Sequence, residues 1–476
     1  MPSRKTVTAA NLEALGAALL AALLLELADG DAALKRRLRG LLAAAEGPTA
    51  AAQEVRKRLA TLAKARSFID WRRNGPLAED LDAQRAAIVG QILPADPALA
   101  LDLLWRFMAL AEPTLSRCDD SNGRVGAVFR AACDDLCDAA AAARPDPVVL
   151  ADAVFAAIDG ADFGQFDDLI PGMAGPLGPN GLAHLEARVR AAAAEPVDVA
   201  DPDEVVGWGG GGPVTAGRMA ALRRELTTRR ALLDIADARG DVDSYVAGFS
   251  AEERAQRGVA VAIAERLSAA DRHAEALAAL DAAAPETPSF TTRDWEAARI
   301  AALDALGRKD EAQATRWAAF ARRLDAEPLR EFLKRLPDFD DIDAEERAMA
   351  LAAASPDTLQ ALAFFLSWPA LDRGAALIID RREALDGDAY ALLSPAAEAL
   401  AEAHPLAATL ALRAMVDFTL DEARSSRYGH AARHLAACAR LARRIDDWAG
   451  APDHDAWAAG LKTDHGRKAG FWSRVA

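Results

Sequence analysis

"AALDALGRKDEAQATRW", Ala301 to Trp317, places a turn residue, Gly307, between two alanine-rich runs, and two earlier stretches can be laid over it. "LLDIADARGDVDSYVAG" (Leu232 to Gly248) and "AERLSAADRHAEALAAL" (Ala264 to Leu280) overlay it when Gly240, Asp271 and Gly307 are aligned, with offsets of 31 and 36 residues. Apolar residues on either side recur at helical spacing, and the chain shows almost no strand-like alternation. The stretch therefore reads as two helices joined by a tight turn. A pair of this kind cannot bury its apolar face alone, so stacking on a neighbour follows from the pattern.

Offsets of 31 and 36 bracket the roughly 34-residue period of tetratricopeptide units. Leu306, Gly307, Glu311 and Ala312 resemble the turn and second-helix start of such a unit, where small residues let antiparallel helices approach. The expected fold is all-α: an α-solenoid of tetratricopeptide-like antiparallel helix pairs with an N-terminal helical region. Helix punctuation supports it. Ser355-Pro356 and Ser394-Pro395 each read as an N-cap hydroxyl before a proline at the first helical position.

Composition agrees. Of the 476 residues, 52% are hydrophobic but only 6% aromatic, which suits helices better than sheet cores. The net charge of −16 excludes broad coating of nucleic acid. Residues 1–75 nevertheless hold 13 Lys or Arg against 7 Asp or Glu, so they carry +6 and the remainder −22. Cys118, Cys133, Cys137 and Cys438 are too few for a disulfide framework and read as reduced thiols. "ALGAALLAALLL", Ala14 to Leu25, is 12 residues long, too short to span a bilayer and bracketed by Glu13 and Glu26. It reads as a buried amphipathic helix rather than a signal peptide, and the expected location is cytoplasmic without membrane insertion.

"VVGWGGGGPVTAGRM", Val205 to Met219, formally contains G-x-G-x-x-G. A dinucleotide fold needs that motif between a strand and a helix; here an Asp- and Pro-rich run precedes it and Pro213 follows. The expectation is a Gly/Pro-rich hinge at 201–217. It would part an N-terminal helical region (1–200) with basic first helices from a tetratricopeptide-like solenoid (218–476) with a C-terminal cap.

"LPDFDD" (Leu336 to Asp341), "HPLAATLALRA" (His404 to Ala414), "SRYGHAARHLA" (Ser426 to Ala436) and "HGRKAGFW" (His465 to Trp472) carry a more specific likeness. Together with the N-terminal "NLEALGAALLAALLLELADGDAALKRRLR" and "RCDDSNG", they resemble an uncharacterised bacterial family of helical proteins, a domain of unknown function. The resemblance covers most of the chain and implies helical architecture; it implies no activity.

No residue set carries a catalytic signature, so the chain reads as non-enzymatic and without a cofactor. His430, His434 and Cys438 share one helix face, but three ligands on consecutive turns spread over about 12 Å and cannot meet one ion. They read as part of the fold, not as a metal site. The acidic run at Asp338, Asp340, Asp341, Asp343, Glu345 and Glu346 reads as a solvated helix start.

The strongest surface signal is cationic. Arg56, Lys57, Lys64, Arg66, Arg72 and Arg73 read as decorating one helix whose apolar side is Leu59, Leu62, Phe68 and Ile69, and Lys35, Arg36, Arg37 and Arg39 precede it. Arg467, Lys468 and Trp472 end the chain in a basic and aromatic cap. The expected function is a non-catalytic scaffold or adaptor that binds a protein partner on a helical-repeat surface. The alternative is a nucleic-acid-associated protein using the basic N-terminal helices.

Overall fold

Gly240, Asp271 and Gly307 all adopt the left-handed backbone, with φ of 66°, 58° and 70°. After each, the next N–H reaches back five residues: Asp241 to Ala236 (2.9 Å), Arg272 to Leu267 (2.8 Å) and Arg308 to Leu303 (2.9 Å). The left-handed residue itself donates to the carbonyl three positions earlier in all three turns. This paired closure satisfies the carbonyls that a helix end leaves unbonded. Asp271 stands where the other turns have glycine because Asp tolerates this conformation better than most side chains. The second helix then starts alike in two cases: Arg272 forks onto Glu275 (2.7 Å) and Arg308 onto Glu311 (2.6 Å).

These turns belong to a computed structural model that describes residues 7–159, 161, 163–209, 211–283 and 291–475. The chain is all-α apart from one short hairpin among the described residues. It divides into two compact units, Met1–Ala251 and Glu252–Ala476.

In the first unit, helices Pro48–Ala63, Gly75–Ala87, Pro97–Met108, Arg124–Ala143, Pro147–Asp159 and Leu169–Ala194 share one core. Phe107 and Phe129 meet there with ring centroids 5.4 Å apart, both fully buried. Starts are encoded locally: Asp96 accepts from the Leu99 N–H at 3.0 Å, with Pro97 at the first helical position, where its missing N–H costs nothing. Gly172 lets two helices approach; a Cβ there would overlap the Cys137 sulfur.

The Gly/Pro-rich stretch forms a hairpin in this unit: Val205–Gly209 pairs antiparallel with Gly212–Thr215, Trp208 opposite Pro213. Gly210 lies outside the described residues. The valines and Trp208 suit a strand, and Gly212 takes a φ of 109° at the turn. Thr215 then caps helix Ala216–Ala238, its hydroxyl accepting from the Arg218 N–H at 3.3 Å. Pairing residues separate this segment from an open linker, and the division between compact units falls after Ala251.

The second unit is built round helix Pro405–Asp421, apolar on most of its circumference and buried to match. Trp317, Phe320, Phe332, Phe364, Phe365 and Trp368 form a continuous ring cluster beside it. Two expected helix starts are placed differently. Asp357, not Ser355, caps helix Thr358–Ser367, accepting from the Gln360 N–H at 2.9 Å. Pro395 lies inside helix Tyr390–Leu400 rather than at its first position.

The N-terminal apolar run also departs from expectation. In helix Ala17–Ala28 only Ala28 is buried, and Leu19, Leu23, Leu24, Leu25 and Leu27 are exposed. Helix Ala32–Glu46 beside it has no buried residue. The run is a helix that lies against Ala32–Glu46, yet among the described residues these leucines stay exposed.

Candidate functional site

Helix Pro48–Ala63 stops ten residues before the basic stretch does, so Phe68 and Ile69 leave the helix face expected for them. Tertiary pairing overrides the helical pattern: Ile69 donates its N–H to the Arg117 carbonyl at 2.9 Å and accepts from Asp119 N–H at 2.8 Å. Residues 64–74 are thereby drawn into a loop against 117–122.

Asn74 holds that loop from below. It is fully buried, and its amide pairs reciprocally with Asn122: Nδ2 donates to Asn122 Oδ1 at 2.9 Å, and Asn122 Nδ2 donates back at 3.2 Å. The same Asn74 Nδ2 reaches the Asp119 carbonyl and Asp120 Oδ1, each at 3.3 Å. Asn122 Nδ2 also donates to the Trp71 carbonyl at 3.2 Å. Asp120 ties this network to helix Arg124–Ala143 by accepting from Val125 N–H (2.9 Å) and Gly126 N–H (2.7 Å). The "CDDSNG" run thus caps helix Arg124–Ala143 and clamps the loop.

What the clamp presents is aromatic and cationic. Phe68 is 70% exposed and Trp71 44%. The Arg72 guanidinium lies over the Trp71 ring at 5.0 Å. Lys64, Arg66, Arg72 and Arg73 are exposed in the same segment, whose one carboxylate is Asp70. Arg66 spends its donors on the Ala63 and Ala65 carbonyls, and Lys64, Arg72 and Arg73 make no ion pair among the described residues.

Other cations of the N-terminal set are neutralised in part. Lys35 pairs with Asp29 (3.2 Å), Arg56 with Asp102 (3.2 Å) and Lys57 with Glu54 (2.6 Å), whereas Arg36, Arg37 and Arg39 make no ion pair among the described residues. At the other end of the chain, Lys468 donates to the Leu420 carbonyl and Trp472 Nε1 to the His465 carbonyl at 2.9 Å. Phe471 is fully buried edge-on to Tyr428. This segment closes its own unit, leaving Arg467 exposed.

His434 stacks on Tyr390 with centroids 5.3 Å apart, and its Nδ1 lies 3.2 Å from the Tyr390 hydroxyl. Burial, with His430 and Arg433 nearby, pulls its pKa down to about 4, so the ring is neutral. Cys438 is fully buried, its S–H directed at the Thr409 carbonyl, and burial pushes the thiol up to about 12. Among the described residues, no three His, Cys, Asp or Glu side chains converge on a common point suited to a metal.

A cleft of about 720 Å³ lies between helices Leu169–Ala194, Ala216–Ala238 and Val242–Ala247. Its arginines are already engaged: Arg190 and Arg239 on Glu186, Arg224 on the Ala192 carbonyl, Arg229 on the Gly248 carbonyl. Its guanidinium groups serve the fold, which leaves the clamped loop as the candidate site.

Residues 2–474 match the model of a family of unknown function, DUF6880, and the chain belongs to that family. No curated protein and no solved structure matches it. No helix among the described residues is long and apolar enough to cross a membrane.

Proposed function

We propose that the protein is a non-catalytic adaptor that binds an acidic surface of another protein through the Lys64–Asn74 loop. One observation carries this: two aromatic side chains stand in solvent among cations on a backbone fixed by a buried, reciprocally paired Asn74. Trp and Arg dominate interface hot spots because they combine large contact area with directed polar groups. A loop held in advance loses little freedom when a partner arrives. Solvent-facing Phe68 and Trp71 gain by being covered, and the surrounding cations favour carboxylates opposite them.

The repeated turn supports a tetratricopeptide-like pairing of antiparallel helices. Four unpaired cysteines, three of them buried, support a reducing, cytoplasmic setting.

A second reading rests on the Arg72–Trp71 stack, which is also a platform for an unpaired base. The two separate on purification of the tagged chain from its host, with and without nuclease. A stoichiometric protein that survives nuclease and is lost in Phe68→Ala/Trp71→Ala supports the adaptor. Material that disappears with nuclease supports the nucleic-acid reading.

A further inference from the structure

The N-terminal hairpin presents a surface that the loop does not explain. Leu12, Leu15, Leu19, Leu23, Leu24, Leu25 and Leu27 are 37–70% exposed, and Leu41 and Leu42 on the next helix are 51% and 68% exposed. Helices Ala17–Ala28 and Ala32–Glu46 hold one buried residue between them. A helix apolar round its circumference is stable in water only when something covers it. Helix Ala32–Glu46 packs on Pro48–Ala63, but most leucines of Ala17–Ala28 stay exposed, and a short helix draws most of its stability from tertiary packing.

Charge says what covers it. Asp29 is paired with Lys35, and Asp31 is spent capping the Ala33 and Leu34 N–H groups. Three cations, Arg36, Arg37 and Arg39, and three carboxylates, Glu13, Glu26 and Glu46, have no ion-pair partner among the described residues. Among the described residues, the span 12–46 therefore holds three unmatched cations and three unmatched carboxylates together with its exposed leucines. Such a surface is complementary to itself. An anionic bilayer would be repelled by the three glutamates, and an acidic protein would leave them unpaired.

We infer that residues 11–46 form a two-fold interface with the same residues of a second copy of this chain. Two hairpins pack as a four-helix bundle, the leucines filling its centre and each copy's arginines facing the other's glutamates. A stable dimer buries about 20–30 residues a side, which a segment of this length supplies. The inference rests on the leucine and charge pattern alone and is independent of the loop.

The test is the mass of the full chain by light scattering during size exclusion. The 50.3 kDa chain should elute as a dimer. Leu19→Glu/Leu23→Glu/Leu27→Glu, all at exposed positions, should give a monomer with unchanged helical circular dichroism. Two charge variants then test the pairing: Arg36→Glu/Arg37→Glu/Arg39→Glu and Glu13→Arg/Glu26→Arg/Glu46→Arg. Each alone should dimerise at least tenfold more weakly than wild type, and an equimolar mixture should recover the dimer. A monomeric wild type overturns the inference, as does a dimer indifferent to the leucine triple. Leucine-dependent flotation of a monomeric chain with vesicles of equal parts phosphatidylcholine and phosphatidylglycerol would assign the surface to lipid instead.

Discussion

Asn74 and Asn122, 48 residues apart, pair amide to amide through two hydrogen bonds, and Asn122 passes a third to the Trp71 carbonyl. That chain of contacts converts a loop between helices into a fixed support for Trp71. Asn74→Ala removes donors from the Asp119 carbonyl, Asp120 and Asn122 in a fully buried position. The expected loss is about 1–3 kcal/mol in denaturant unfolding, with faster exchange of the Ile69 amide. Wild-type exchange at Ile69 in the variant would show that the clamp does not hold the loop.

Phe68→Ala/Trp71→Ala should behave oppositely. Both side chains face solvent, so stability should stay within about 0.5 kcal/mol of wild type while partner capture is lost. A large drop in melting temperature would mean that these rings pack in the fold.

Glu296 is 4% exposed and pairs with Arg322 and, at 2.6 Å, Arg323. Glu296→Ala leaves Arg323 partly buried without this counter-charge and should cost about 3 kcal/mol. Calorimetry decides; a change below about 1 kcal/mol would mean water readily replaces the carboxylate.

Burial pushes the Asp417 carboxyl up to about 6, against the hydrogen bond from Trp457 Nε1 at 3.2 Å and the pull of Arg413, while Asp421 adds to the rise. Between its ordinary value of 3.8 and about 6, the folded chain retains a proton that the unfolded chain has released. Its stability contribution therefore falls as pH rises through that window and stays lost above it. Asp417→Asn keeps an acceptor for Trp457 and should stabilise by about 1–2 kcal/mol near pH 7.5, with no gain near pH 4. An equal gain at both pH values would exclude ionisation as the cause.

The helical turns were legible because their signals are local. Gly240, Asp271 and Gly307 sit where three alignable stretches change direction, and each needs the left-handed backbone that Gly or Asp supplies. Membership of the family was legible from runs spread along the chain. Phe68 and Ile69 were misplaced because helical spacing continued past Ala63, while the pairing that ends the helix comes from residues 117–119. A warning was present: Asn74-Gly75-Pro76 stops any helix, and "CDDSNG" offers acceptors and an amide that require partners elsewhere. The leucine run carries the pattern of a buried helix, but whether the cover comes from the same chain is not a local property. Pro395 falls inside a helix because Tyr390 to Ser394 already have the packing to be helical before it.

The adaptor account is tested most directly by placing a photo-crosslinking amino acid at position 68 in the full chain, in its host, and irradiating. The expected result is one protein adduct, resistant to nuclease and absent when Arg72 and Arg73 are changed to Glu. An adduct to nucleic acid, or no adduct at 68 while the same group elsewhere on the surface captures a partner, would contradict it.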